Sequence, residues 1–185
     1  MIYTLNPAIA NKLQIRIWGI LGFAVLTAIG AQISFPREPV PVTLQVLAVL
    51  LAGLTLGMRD GFMSQVTYLA GIAAGLPIAA NGAGGIGVFS SPTAGYLYAF
   101  PLAAGIVGLL AIRQNIWLRW LASVVGVIVI YIIGATYLKN NLHATWSQAW
   151  DWGVEPFILI DLAKAALAAV SGEGLRQWWK RQYPG

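Results

Sequence analysis

The sequence predicts an all-α membrane protein: six transmembrane helices with short loops, both termini cytoplasmic, forming a single integral-membrane domain over 1–185. Three observations predict it. Of 185 residues, 58% are hydrophobic and only 9% charged, where a soluble domain carries about 25% charged residues; the mean hydropathy is +0.74. Six apolar runs follow one another, at about 17–35, 40–57, 61–80, 95–112, 117–138 and 154–172, and roughly 17–25 apolar residues cross the hydrocarbon core as a helix. With the N-terminus inside, Lys12, Arg16, Arg59, Arg113, Arg119, Arg176, Lys180 and Arg181 fall on inner segments, and only Arg37 and Lys139 on outer ones. That asymmetry satisfies the positive-inside rule.

Each element has its own signal. Met1 to Leu13 reads as a polar, amphipathic lead. The first run is long and has no clear cleavage site, so it reads as a span rather than a signal peptide; five spans would remain even if it were cleaved. Within it, Ala24 and Ala28, followed by Gly30, form a small-xxx-small pattern that lets helix backbones approach closely, for internal packing or for docking on a partner. The second run is short and opens with Pro39 and Pro41, which suit a first helical turn. Thr43 and Gln45 follow, and they either face a cavity or cap the helix end. Gly71, Gly75 and Pro77 break up the third run. Trp18, Trp117, Trp120, Trp178 and Trp179 fall near inner ends, and Trp146, Trp150 and Trp152 outside, as interfacial belts. Leu142, Trp146 and Trp150 recur every four residues and predict a short surface helix over 140–152.

Asp161 and Lys164 carry the chemistry. They interrupt the otherwise uncharged run from Val154 to Val170, and a spacing of three puts them on one helix face. Each charge near a bilayer midplane costs roughly 2.5–3.5 kcal/mol on insertion scales. If the span starts at Val154, they lie roughly 10 and 15 Å below its outer end. No acid occurs between 61 and 150, so Lys164 or a ligand is the partner expected for Asp161. The pair reads as the polar floor of an outward-opening solute site, against a structural ion pair or a snorkelling lysine. The glycine-rich stretch 81–95 is an outer loop, either a lid or a plain connection. Its Gly82, Gly84 and Gly87 match a dinucleotide fingerprint by spacing only, because a membrane span precedes them and no acid follows at the required distance.

Several strings resemble a known family: Val-Pro-Val-Thr-Leu-Gln (40–45), Leu-Ala-Gly-Leu-Thr-Leu-Gly (51–57), Ala-Gly-Ile-Ala-Ala-Gly-Leu-Pro (70–77), Gly-Gly-Ile-Gly-Val-Phe (84–89), Pro-Thr-Ala-Gly-Tyr-Leu (92–97) and Pro-Phe-x4-Asp-Leu-x-Lys (156–164). In this order they resemble the BioY family, the biotin-binding S components of energy-coupling-factor (ECF) transporters. Ser91 and Ala94 stand where that family has glycines. The resemblance implies six helices and a high-affinity biotin site near the outer face, covered by the glycine-rich loop. It implies that Asp161 and Lys164 bind biotin, with Asn81, Thr43, Gln45 and Tyr96 as further contacts. It implies partners too: a transmembrane coupling subunit, facing Ala24 and Ala28, and two cytoplasmic ATPases. The cell membrane of a prokaryote is the implied location. Biotin chemistry agrees. Asp161 can accept a ureido N–H, and Lys164 can donate to the ureido oxygen or pair with the carboxylate.

Other classes fare worse. Scattered basic residues form no nucleic-acid stripe. Cysteine is absent and His143 is the single histidine, so no thiolate or multi-histidine metal site is expected within the chain. An intramembrane enzyme needs paired aspartates or a serine with a base, so no enzyme is expected. No ATP-binding motif is present, so ATP is used by partners and no cofactor is expected in the chain. The alternatives are a stand-alone secondary transporter, for which no inverted repeat is visible, or an S component for another small vitamin.

Overall fold

The computed structural model describes residues 7–111 and 115–182. Arg113 and the first six residues of the polar lead lie outside them. Among the described residues the chain is helical apart from one hairpin of two-residue strands. Helix α1 (Pro7–Gln32) leads into strands β1 (Ser34–Phe35) and β2 (Val42–Thr43), which pair antiparallel. Then come α2 (Gln45–Ala73), α3 (Ala94–Leu110), α4 (Ile116–Asn141), the short α5 (Trp146–Gly153) and α6 (Ile158–Gln182). Among the described residues, stretches of α1, α2 and α4 are long and apolar enough to cross a membrane, and α3 is a shorter apolar helix.

Four expectations need correction. Helix α1 begins at Pro7, so part of the expected polar lead is already helical. The second and third runs are one helix, α2, bent at Gly57, where φ is 83° and ψ is −173°. That region is essentially open to glycine alone, so Gly57 is what allows the turn between the two arms. Pro39 and Pro41 do not open this helix. They lie ahead of it, in the hairpin segment, because a proline cannot donate to a helical ladder and favours extended backbone before it. The surface helix predicted over 140–152 is shorter: α4 runs on to Asn141, and a Thr145–Gln148 capping box starts α5 at Trp146. Thr145 accepts from the Gln148 amide and Gln148 accepts from the Thr145 amide, which satisfies two otherwise orphaned donors.

Small residues hold the bundle together. α2 packs against α1, α3 and α6, and α4 against α3 and α6. Ala99, Ala103 and Ala104 of α3 are fully buried, and a Cβ at Gly53 of α2 would stand 2.4 Å from the Ala104 carbonyl oxygen. This close backbone approach is how helices gain contact where lipid removes the hydrophobic drive between them. Large apolar side chains such as Val25, Ile132 and Leu159 point outward, as a lipid-facing surface does.

The bundle has two unlike ends. At one end, Arg16 grips Asp60 through two hydrogen bonds of 2.6 and 3.0 Å, Arg119 pairs with Glu173, and Arg176 donates to the Ala111 carbonyl. At the other, the hairpin, the 74–93 loop and the start of α6 surround a cavity.

Candidate functional site

The site is built around the start of α6. Pro156 sits in a 3-10 turn, Glu155–Phe157, and α6 begins only after it. Asp161 therefore stands in the first turn of α6 and Lys164 one turn further on. The pair is nearer the helix start than a span from Val154 would place it, and it lies inside protein rather than in the middle of oil. A helix N-terminus favours a carboxylate through its unpaired amides and dipole. Asp161 is 3% exposed and Lys164 6%.

Both charges are paired and hydrogen-bonded. Lys164 Nζ donates to Asp161 Oδ1 at 2.7 Å and to the Thr43 carbonyl at 2.8 Å. The Tyr131 hydroxyl of α4 donates to Asp161 Oδ2 at 2.8 Å. Buried charges persist only when paired and hydrogen-bonded in this way. Lys164 does not snorkel to the surface; it ties α6 to the hairpin strand ahead of α2.

This cluster forms one wall of a cavity of about 560 Å3, within the roughly 300–1,000 Å3 of small-molecule sites. Thr43, Gln45, Asn81, Tyr96, Asp161 and Lys164, the six residues expected to contact ligand, all line it. Their own bonds differentiate them. The Thr43 hydroxyl donates to Gln45 Oε1 at 3.0 Å, Gln45 Nε2 to the Tyr68 hydroxyl at 2.7 Å, and that hydroxyl to the Ile78 carbonyl at 3.1 Å. Asn81 sits at φ 58° and accepts from Ser34 Oγ at 3.1 Å, a bond that leaves its amide donors unused. The Tyr96 hydroxyl donates to the Gly153 carbonyl at 2.9 Å, so its ring is what remains for the cavity. That ring needs Gly134: a Cβ there would lie 2.3 Å from it.

The glycine-rich loop closes the cavity's flank through Asn81, Gly84, Gly87 and Val88. It is anchored rather than loose. The Gly85 amide donates to the Ile72 carbonyl at 2.7 Å. Tyr98 and Tyr137 both donate to the Phe89 carbonyl, at 2.8 and 3.1 Å, and Asn141 donates to the Ser90 carbonyl at 3.1 Å.

The two alanines of α1 lie elsewhere. Ala24 is 7% exposed and belongs to the core, with Ala28 partly buried beside it. The open side of α1 runs through Trp18, Leu21, Val25 and Ile29. Sequence reasoning missed Tyr131, the second donor to Asp161. A tyrosine inside a long apolar run has no spacing signal, and only the packing of α4 against α6 brings its hydroxyl to Asp161. Tyr68, which anchors Gln45, and the apolar walls Phe100 and Phe157 were missed for the same reason.

The family model described as the BioY family matches residues 9–181. A protein of Pyrococcus horikoshii named "probable biotin transporter BioY" is 44% identical over 154 residues, covering 83% of this chain and 91% of that one. A protein of Thermotoga maritima named "biotin transporter BioY" is 41% identical over 149 residues, covering 80% and 88%. Among solved structures, a crystal structure of the S-component for biotin from an ECF-type ABC transporter superposes with a TM-score of 0.83 at 25% identity, over 94% of this chain and 95% of that one. With the family pattern running through every helix that frames the cavity, the chain belongs to the BioY family.

Proposed function

We propose that this chain captures biotin and brings it into the cell as the substrate-specific S component of an ECF transporter. One observation carries the reading: a buried, hydrogen-bonded Asp161–Lys164 pair forms the polar wall of a largely apolar cavity. Biotin matches that wall with two ureido N–H donors, one ureido oxygen and a carboxylate, and it matches the apolar remainder with its thiophane ring and chain. Asp161 accepts a ureido N–H, while Lys164 donates to an oxygen of the ligand. Thr43, Gln45 and Asn81 supply further polar contacts, the Tyr96 ring an apolar one, and the 81–95 loop covers the ligand.

The chain works as one substrate-binding unit over 1–185, with six membrane-crossing segments once the two arms of α2 are counted separately. The positive-inside rule puts the end carrying Arg16, Arg119 and Arg176, with both termini, in the cytoplasm of a prokaryotic cell. The cavity then opens outward. ATP is hydrolysed by two cytoplasmic ATPases, and a transmembrane coupling subunit docks on α1. On that helix, Leu21, Val25 and Ile29 form the exposed face it meets, with Ala28 partly buried beside that face and Ala24 turned into the core.

A panel of radiolabelled vitamins on detergent-purified protein tests the reading. Tight binding of biotin alone is expected; binding of a different vitamin in its place contradicts the substrate. Uptake that requires the co-expressed ATPases separates an S component from a stand-alone transporter.

A further inference from the structure

A second cavity, also about 560 Å3, lies between α4, α5 and α6 on the outside of the bundle. Ile128, Ile132, Trp146, Trp150 and Leu162 line it, with Tyr131 at its back. It offers hydrocarbon and little else. Its Thr136 hydroxyl is spent on the Ile132 carbonyl at 2.6 Å, and the Tyr131 hydroxyl is turned away to Asp161. Water gains few hydrogen bonds in such a space, and a polar solute would lose its hydration there.

The mouth of the groove differs from its body. Residues 128, 132, 135 and 139 of α4 repeat at three- and four-residue steps, so they share one helix face. The next turn beyond the apolar rows therefore carries Lys139, whose Nζ lies 5.3 Å from the centre of the Trp146 ring. Trp146 is exposed at this end, as tryptophans are at the headgroup level of a bilayer. A hydrocarbon slot ending in a cation beside an interfacial tryptophan matches a molecule with an apolar chain and an anionic head.

We propose that this groove binds one acyl chain of a phospholipid with its phosphate beside Lys139, and that the chain braces Tyr131. The Tyr131 ring lines both cavities, and its hydroxyl holds the Asp161 carboxylate. Lipid in the groove thus limits the movement of one of the two donors that set the carboxylate. The lipid site stands without any assumption about the solute; its effect on binding rests on the biotin reading above.

The test uses delipidated full-length protein titrated with phosphatidylglycerol and read by native mass spectrometry, with biotin affinity measured in parallel. Wild type should retain one lipid. Lys139→Gln should hold it about fivefold more weakly, the effect of one basic residue on an anionic headgroup. Leu162→Trp, which fills the groove, should not retain it. Biotin affinity should rise on adding lipid to wild type and stay flat in Leu162→Trp. Equal retention by all three proteins means ordinary boundary lipid and overturns the site. Lipid that binds as expected but leaves biotin affinity unmoved overturns the coupling through Tyr131. If no biotin binds at all, the solute reading fails, while the lipid titration still decides the groove. In the assembled transporter, crosslinking of Ile132→Cys to another subunit would put a protein helix in the groove and overturn the proposal.

Discussion

Asp161 holds two donors at once, Lys164 on Oδ1 and Tyr131 on Oδ2. Each carboxylate oxygen keeps a second lone-pair direction, so a ligand N–H can join without displacing either. Removing one charge leaves the other buried and unpaired, which costs about 3–5 kcal/mol. Asp161→Ala and Lys164→Ala are each expected to weaken biotin binding at least ~100-fold, or about 2.8 kcal/mol, while the protein still enters the membrane fraction. Unchanged affinity in both purified variants would contradict their role. A purely structural ion pair is separated from a binding one by Asp161→Ala combined with Lys164→Met. Thermal stability should recover toward wild type because no charge is stranded, whereas binding should stay lost. Tyr131→Phe keeps the ring and loses the donor. About a tenfold weaker biotin affinity is expected, the worth of one hydrogen bond to a charged group, and an unchanged affinity would remove Tyr131 from the account. The sequence announced Asp161 and Lys164 because charge is rare inside an apolar run. It was silent on Tyr131 because an aromatic residue there is ordinary.

Helices and loops were legible to different degrees. Each apolar run contains a helix, because hydropathy over about twenty residues reports burial in oil directly. Their ends were harder to read, since local hydrogen bonding decides them. The hairpin of Ser34–Phe35 with Val42–Thr43 lay hidden in what read as the end of one span and the start of the next. Its role is to present the Thr43 carbonyl to Lys164, a backbone contact no side-chain motif encodes. The second and third apolar runs, with Arg59 between them, read as two spans; instead α2 continues through the gap and bends at Gly57. Gly57→Ala forces a side chain into a region that is essentially glycine's and should destabilise the protein by about 1–3 kcal/mol. A lowered thermal midpoint in detergent would show it, and a midpoint equal to wild type would mean that the bend does not depend on glycine.

The molecule as a whole is polar at both ends in different ways. One end gathers arginines with Asp60 and Glu173; the other surrounds a cavity that is mostly apolar with one charged wall. Charge counting along the sequence assigns the first end to the cytoplasm, and that assignment can be checked cleanly because the chain has no native cysteine. Ser90→Cys, in the loop at the cavity end, should react with a membrane-impermeant maleimide in intact cells. Arg181→Cys should react only after permeabilisation. The reverse pattern would open the cavity to the cytosol and contradict uptake. Whether the α6 pair grips the solute is measured by the structure of the protein with biotin bound. The ureido group is expected within hydrogen-bond distance of both Asp161 and Lys164, with the thiophane ring against the apolar walls. Biotin seated away from that pair, or the pair still closed on itself with the ligand elsewhere, would contradict it.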